Sequence, residues 1–262
     1  MKLPVYKADA FTNKLFGGNP AAVCPLEEWL PDELMQQLAA ENNLSETVFF
    51  VKEADHYRIR WFTPGTEVKL CGHATLASAH IFYTELGYTS DVILFNSLSG
   101  ILKVTRKEAG TYMLDFPANP PQPIEEVPAG MFEGLGIAAC PVFKTSFDYM
   151  VVLPSQKEVE MLSPDFKTLA TVKARGVIAT AKGEEADFVS RCFYPQSGID
   201  EDPVTGSAHT IMVPYWAAQL NKTMMKAIQL SKRKGYLDVE LNGDRVLMSG
   251  NVVTYLKGEY IV

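Results

Sequence analysis

The chain has 262 residues, of which 47% are apolar and 21% charged, so it can bury a sizeable core without a disulfide or metal to hold it together. Its formal net charge of −7 disfavours a nucleic-acid-binding protein, which usually carries a basic face. The sequence holds no apolar run of about 18 residues and no signal-peptide core at its start, so we expect no membrane span. The cysteines form no CxxC pair, which favours reduced thiols in a cytoplasmic protein over a zinc ribbon.

The first half is predicted to alternate short strands with two helices. Proline and acidic residues at 31–33 open the first helix, since both are favoured in a first helical turn. Gly87 ends the second helix. In chain order we expect strands over 5–11 and 21–24, a helix from 31 to about 43, strands over 47–51 and 57–62, a helix over 75–86, and strands over 101–105 and 112–116.

A proline-rich linker follows at 117–123, where four of seven residues are proline and neither a helix nor a central strand is tolerated. We therefore predict halves at 1–117 and 118–262, with the terminal strand free to cross between them. Pro214 is expected to kink or shorten the last helix. The predicted elements of the second half are strands over 149–153, 177–180, 188–194, 236–239, 245–248 and 252–256, and helices over 165–172 and 207–220.

The two halves repeat an Arg-x-Phe-x-Pro segment, at 60–64 and at 191–195, which is an offset of 131 positions. A second match, 100–104 with 235–239, has an offset of 135. The alternative is chance similarity between common strand patterns. Two similar offsets in the same order favour a duplicated α+β unit instead.

Each copy of the Arg-x-Phe-x-Pro segment is followed by a glycine-containing turn at the start of a predicted helix. These turns lie at 70–76 in the first half and at 201–209 in the second. A helix N-terminus presents unpaired N–H groups and partial positive charge, so two such turns around one ligand would hold an anion. Gly72 and Gly206 allow close approach of the backbone to a carboxylate or an enolate. The sequence has neither the GxGxxG nor the GxxxxGK[ST] pattern of phosphate loops.

Four side chains near these turns are candidate acid–base or binding groups. His73 at the start of the first helix is expected to be a neutral imidazole, because a helix N-terminus disfavours added positive charge. Asp202 and Ser207 are equally suited to capping a helix. Glu46, where a polar loop enters an apolar strand, is either a surface residue or a carboxylate whose pKa is raised, as a proton carrier needs.

Cys71 offers a different chemistry. A thiol at a helix mouth is a candidate thiolate base, because its pKa is lowered there. A two-thiol racemase needs a second cysteine on the opposite face of the carbon, and the second turn has none; Cys192 lies on the preceding predicted strand. The sequence therefore argues against a two-thiol mechanism.

The motifs resemble the PhzF family, the phenazine-biosynthesis-like proteins, over nearly the whole chain. The residues that carry the resemblance are Asp9-Ala10-Phe11-Thr12, Phe16-Gly17-Gly18-Asn19-Pro20-Ala21-Ala22-Val23, Asn43-Leu44-Ser45-Glu46-Thr47, Cys71-Gly72-His73-Ala74-Thr75 and Asp202-Pro203-Val204-Thr205-Gly206-Ser207-Ala208-His209. The resemblance implies the diaminopimelate epimerase fold: two pseudo-symmetric halves, each a mostly antiparallel sheet around a central helix, with the site in the cleft between them. In those epimerases each half carries a catalytic cysteine, whereas here only Cys71 remains.

The resemblance also implies an isomerase of small carboxylates that needs no cofactor and is commonly a homodimer. We expect no metal site, no nucleic-acid partner and no membrane partner. The family's best-known member isomerises trans-2,3-dihydro-3-hydroxyanthranilate, although many relatives act outside phenazine pathways. It assigns Glu46 as the general acid/base. The remaining candidates are His73 and Asp202 as catalytic residues, and Ser45, Gly72, Gly206, Ser207 and Asn19 as substrate-binding residues.

Two rival hypotheses stay open. The first is a binding or interaction protein that keeps the fold but has lost catalysis. The second is an amino-acid epimerase in which Cys71 acts opposite a carboxylate, either Glu46 or Asp202.

Overall fold

A computed structural model describes residues 1–54, 56–108 and 110–262 of the chain. The chain divides into two compact units, the first made of Met1–Phe116 and Met248–Val262, the second of Pro117–Leu247. The boundary near the C-terminus falls inside the last strand, which begins in the second unit and continues in the first. Within the described ranges, no helix has both the length and the apolar character needed to cross a membrane.

Within its described residues, unit 1 contains two helices set among strands. Its elements are β1 (Lys2–Ala10), β2 (Asn19–Leu26), α1 (Asp32–Asn42), β3 (Glu46–Glu53), β4 (His56–Phe62), β5 (Glu67–Val68), α2 (Gly72–Thr84), β6 (Val92–Ser97), β7 (Gly100–Arg106), β8 (Thr111–Pro117) and most of the last strand, β17 (Arg245–Ile261).

The sheet of unit 1 is covered by a different helix on each face. Helix α1 buries Met35 and Leu38 in a cluster with Phe49 of β3. The neighbouring residue, Phe50, points to the other face and packs on Phe82 of α2, with ring centroids 4.5 Å apart. Strand β3 therefore has apolar residues on both faces, as expected for a strand inside a layered core. Helix α2 is buried along most of its length, which makes it the central helix of this unit.

Unit 2 contains the remaining elements, which lie between the proline-rich segment and the start of the last strand. They are β9 (Gln122–Pro123), α3 (Met131–Leu135), β10 (Val142–Lys144), β11 (Asp148–Val152), α4 (Gln156–Glu160), α5 (Phe166–Leu169), β12 (Gly176–Lys182), β13 (Phe188–Tyr194), a 3₁₀ turn (Pro195–Ser197), β14 (Ile199–Asp202), α6 (Gly206–Leu220), β15 (Met224–Gln229) and β16 (Gly235–Asn242).

The two units repeat the same sequence of strand pairings. In unit 1, β1–β2 is antiparallel, β2–β3 parallel, β3–β4 antiparallel, β4–β6 parallel and β6–β7 antiparallel. In unit 2 the same succession is β10–β11, β11–β12, β12–β13, β13–β15 and β15–β16. In both units the main buried helix, α2 or α6, lies in the connection that leads to the second parallel pair. The duplicated α+β unit predicted from the sequence is therefore confirmed.

The repeated Arg-x-Phe-x-Pro segment holds a short strand next to a long one. Arg60 donates two hydrogen bonds from Nε and an Nη atom to the carboxylate of Glu67, at 2.7 and 2.8 Å. Arg191 makes the same two bonds to Glu201, again at 2.7 and 2.8 Å. These bidentate pairs join β4 to β5 and β13 to β14, directly before the turns that open α2 and α6. The motif is thus a structural clamp for the turn that follows it.

Several element predictions need correction. The two strands expected at 245–248 and 252–256 are one continuous strand, β17, and β1 pairs with its second part, from Val252 to Ile261. Pro214 does not shorten its helix, since α6 continues to Leu220. The helix expected at 165–172 is reduced to the short α5, capped by the Asp165 side chain.

Candidate active site

Strand parity directs Glu46 toward the central helix of unit 1. Glu46 is the first residue of β3 and lies beside Ala21 in the parallel pairing with β2. Side chains two and four residues apart share one face of a strand, so Glu46 lies on the same face as Phe50, which packs on α2. The Glu46 side chain is only 14% exposed. This excludes the alternative, left open by the sequence, that Glu46 is a solvated surface residue.

The N-terminus of α2 supplies the second part of the site. Cys71 is the N-cap residue in an extended conformation, and Gly72 and His73 form the first turn. The Thr75 hydroxyl donates to the Cys71 carbonyl at 2.5 Å. The backbone N–H groups of Gly72 and His73 have no acceptor one turn earlier in the helix, so they are the donors that a ligand anion can use.

Three side chains surround the His73 ring. Glu46 Oε2 lies 3.2 Å from His73 Nε2. On the other side of the ring, the Asn19 amide nitrogen is 3.2 Å and Cys71 Sγ is 3.5 Å from Nδ1. Asn19 begins β2, so two parallel strands and one helix terminus each contribute a residue to one cluster. Of the residues predicted from the sequence, the structure brings Glu46, His73 and Asn19 into contact.

The His73 imidazole is neutral at physiological pH. Burial lowers its pKa to about 3, and a hydrogen bond to the Pro20 carbonyl offsets this only in part. The neutral ring expected from the sequence is confirmed, although burial rather than the helix terminus is the main cause. Its contact with Glu46 is therefore not an ion pair, and a ring this weakly basic is suited to orienting the carboxylate rather than to accepting its proton.

Ser45 and Gly72 lie beside these groups in the chain. Ser45 is partly buried in the bend directly before Glu46, and Gly72 is a buried residue of the first turn of α2. Both stay predicted substrate-binding residues.

In unit 2, Asp202 belongs to a buried polar cluster at the start of α6. Its Oδ2 accepts a hydrogen bond from the Thr205 hydroxyl at 2.5 Å. Gln229 Nε2 donates to the Asp202 carbonyl at 2.7 Å, and Gln229 Oε1 accepts from the Thr205 N–H at 2.8 Å. Thr205 is the N-cap residue of α6, and no side-chain bond caps this helix. Asp202 thus holds the N-cap residue through its hydroxyl instead of capping the helix itself.

The same turn places Gly206 and Ser207 in the first turn of α6. Ser207 lies inside the helix, and its carbonyl accepts from the Thr210 hydroxyl at 2.7 Å, so it is not the N-cap residue either. Gln229 is the member that sequence reasoning missed, because the strand that ends with it, β15, carries no alternating pattern that the sequence analysis recognised. Thr205 lies within the motif at 202–209, but its residue type alone did not indicate a role.

Comparison with known proteins agrees with this fold and these motifs. The family model of phenazine biosynthesis-like proteins, PhzC-PhzF, matches residues 8–258. A protein of Pseudomonas aeruginosa described as an uncharacterized isomerase is 49% identical over 258 residues, covering 98% of each chain. A crystal structure of a PhzF-family protein from Enterococcus faecalis is 44% identical, covers all of both chains and has a TM-score of 0.96. A hydroxyproline epimerase from Agrobacterium vitis is only 9% identical but has a TM-score of 0.67 over 98% of this chain and 92% of its own, which shows the epimerase fold alone.

Proposed function

The chain belongs to the PhzC-PhzF family of phenazine biosynthesis-like proteins, and from this premise we propose that it is an isomerase that moves a proton on a small carboxylate. The observation that carries the proposal is the Glu46 carboxylate, mostly buried and 3.2 Å from the neutral ring of His73. A carboxylate removed from bulk water beside a neutral imidazole ring is suited to taking up and returning one proton.

The proposed reaction uses one group in both directions. Glu46 removes a proton from a carbon activated by the substrate's carboxylate or by an adjacent double bond, and the electron pair moves into the conjugated system. The protonated Glu46 then returns the proton to a different carbon of the same molecule. The N–H groups of Gly72 and His73 stabilise the negative charge that develops between these steps. No external oxidant or cofactor is needed for this balance.

Asp202 stays a predicted catalytic residue, and Gly206 and Ser207 stay predicted substrate-binding residues. The repeated turn supports the assignment, because α6 opens after the same Arg clamp as α2. The homodimer also stays a prediction, which sedimentation of the purified chain tests.

A screen in deuterium oxide tests the proposed reaction. Carboxylate-bearing metabolites, with trans-2,3-dihydro-3-hydroxyanthranilate as the first, are incubated with the protein and analysed by mass spectrometry and NMR. We expect a shifted double bond or a moved proton in at least one compound, usually with deuterium incorporated. NMR is needed because Glu46 can return the same proton without exchange. Tight binding of a compound with neither isomerisation nor exchange would favour the inactive binding protein instead.

An epimerase that uses Cys71 is the second candidate. It is favoured by one observation, the buried Sγ of Cys71 at 3.5 Å from His73 Nδ1. If Glu46 carries the proton, Cys71→Ser lowers turnover by less than about tenfold, whereas a thiolate base makes the loss at least about 10³-fold. Cys140→Ser, at a partly exposed thiol outside the cluster, is the matched control.

A further inference from the structure

The cluster around His73 combines three kinds of metal-ligating atom. One carboxylate oxygen of Glu46, Sγ of Cys71 and one ring nitrogen of His73 all lie within 4.8 Å of one another. Thiolate, imidazole and carboxylate are the three side-chain ligands of zinc in proteins, and three protein ligands with an open fourth position form a recurrent zinc geometry. Mg²⁺ and Ca²⁺ prefer oxygen ligands alone, so this donor set selects a softer ion.

A second observation points to a ligand at the same place. His73 Nε2 is buried and makes no hydrogen bond within the described residues, although Glu46 Oε2 is 3.2 Å away. A buried polar atom left in this state costs free energy unless a ligand or water satisfies it. An imidazole nitrogen that holds no proton is also the form in which histidine binds metals.

We propose that Glu46, Cys71 and His73 form a binding site for Zn²⁺, and that the bound ion inhibits the enzyme. Around tetrahedral zinc, with bond lengths of about 2.0–2.3 Å, neighbouring ligand atoms are roughly 3.3–3.6 Å apart. Glu46 and Cys71 contact different nitrogens of the His73 ring, so coordination of one ion requires the Cys71 side chain or the imidazole to turn until both donors face the same nitrogen. Binding releases the thiol proton to solvent and involves no redox step.

Inhibition follows from the overlap with the proposed acid/base. An ion coordinated by Glu46 occupies the oxygen that the proton transfer needs. Zinc and substrate then exclude each other. This part rests on the proposed function, whereas ion binding itself is measured without turnover, so the two can fail separately.

The experiment uses Co²⁺ as a spectroscopic probe of the same site. Titration of the purified, reduced protein with Co²⁺ is expected to produce a thiolate-to-cobalt charge-transfer band that saturates at one ion per chain and is removed by Zn²⁺. Cys71→Ser abolishes the band, while Cys140→Ser keeps it. Mg²⁺ does not compete. In a turnover assay, Zn²⁺ raises the apparent KM for substrate, and a chelator reverses the effect.

A measurement on the unmodified chain covers the case in which Cys71→Ser fails to fold. Zn²⁺ is expected to slow alkylation of Cys71 by at least about tenfold, without slowing that of Cys140. The absence of a charge-transfer band in the unmodified protein, or equal alkylation of Cys71 with and without Zn²⁺, would overturn the site. Zinc binding without any effect on an established turnover would overturn the inhibition.

Discussion

At the scale of single residues, burial decides what each titratable group can do. Each of the two turns carries one histidine, His73 in the first half and His209 in the second. Burial lowers the pKa of His73 to about 3 and that of His209 to about 4. His209 is hydrogen-bonded through Nδ1 to the Thr205 carbonyl at 2.8 Å. Both rings are therefore neutral in the folded protein near pH 7, and both resist protonation until the pH is well below that of a free histidine.

This neutrality predicts an acid-sensitive fold. The unfolded chain binds a proton at each histidine near pH 6.5, whereas folded His209 binds one only near pH 4. Between these pH values the unfolded state binds more protons than the folded state. The contribution of His209 to stability is therefore complete above about pH 6.5 and is lost as the pH falls toward 4. One imidazole changes the free energy of unfolding by at most about 1.4 kcal/mol per pH unit.

Replacing His209 with Asn tests the sign and size of this effect. The Asn amide can still donate to the Thr205 carbonyl, but it does not titrate. Urea unfolding at pH 7, 6 and 5 is expected to show a decline that is shallower in the variant by about 1 kcal/mol per pH unit. Equal slopes in the two proteins would show that His209 is already protonated in the folded state or does not titrate differently on unfolding.

The sequence allowed the site chemistry to be predicted only in part at this scale. The motif around Glu46 and the turn around His73 marked both residues as candidates, because a charged group next to an apolar run and a histidine at a helix mouth are local signals. The 3.2 Å approach of these two side chains joins positions on different elements, and no local pattern specifies it. The same is true of Gln229, whose role depends on Asp202 and Thr205, far away in the chain.

At the scale of secondary-structure elements, the Arg clamp explains why the same motif occurs twice. Besides the Glu201 carboxylate, Arg191 donates to the Leu162 carbonyl at 2.7 Å, and its side chain is 13% exposed. A planar guanidinium that satisfies a carboxylate and a carbonyl in a largely buried position is not replaceable by lysine. The clamp fixes β14 against β13, and α6 begins four residues after β14 ends.

Arg191→Ala is expected to lower the free energy of unfolding by about 3 kcal/mol, because it leaves the Glu201 carboxylate and the Leu162 carbonyl without their partner. A double-mutant cycle with Glu201→Ala should give a coupling energy of about 1–2 kcal/mol, measured by denaturant unfolding.

The exposed pair Lys2–Glu259, with side chains 70% and 54% exposed, is the matched control. Its coupling should stay below about 0.5 kcal/mol, since solvent screens exposed ion pairs. If the coupling energy of Arg191 with Glu201 is no larger than that of this control, the Arg191–Glu201 pair does not stabilise the β13–β14 pairing as we expect.

Element types were more predictable than element ends. Strand β13 and helix α6 match their predicted ranges within one residue, because a continuous apolar run and a long buried helix carry strong local signals. Strands β5 and β14 were not predicted, since short strands depend on the Arg clamp and on their neighbours rather than on their own residues. Strand β17 was predicted as two strands because Gly250 and Asn251 look like a turn in the sequence alone.

At the scale of the whole molecule, the duplication is close in topology and unequal in chemistry. Strand β3 begins with Glu46, while the corresponding strand β12 begins with Gly176. A Cβ atom on Gly176 would lie 2.2 Å from the Tyr194 ring, so this position accepts no larger side chain. The N-cap residues differ as well, Cys71 for α2 and Thr205 for α6. One unit can carry an acid/base group at this place and the other cannot, which fits a proton transfer by a single carboxylate.

The most direct test of this account compares solvent-deuterium exchange and turnover in the unmodified protein and in Glu46→Gln, with the substrate found by the screen. The amide keeps the shape of the carboxylate but cannot carry the proton. We predict at least about a 10²-fold loss of turnover and exchange with the ligand Kd within about threefold, while Glu41→Gln, on the exposed face of α1, changes neither. Turnover in Glu46→Gln at the rate of the unmodified protein would contradict the central role of this carboxylate.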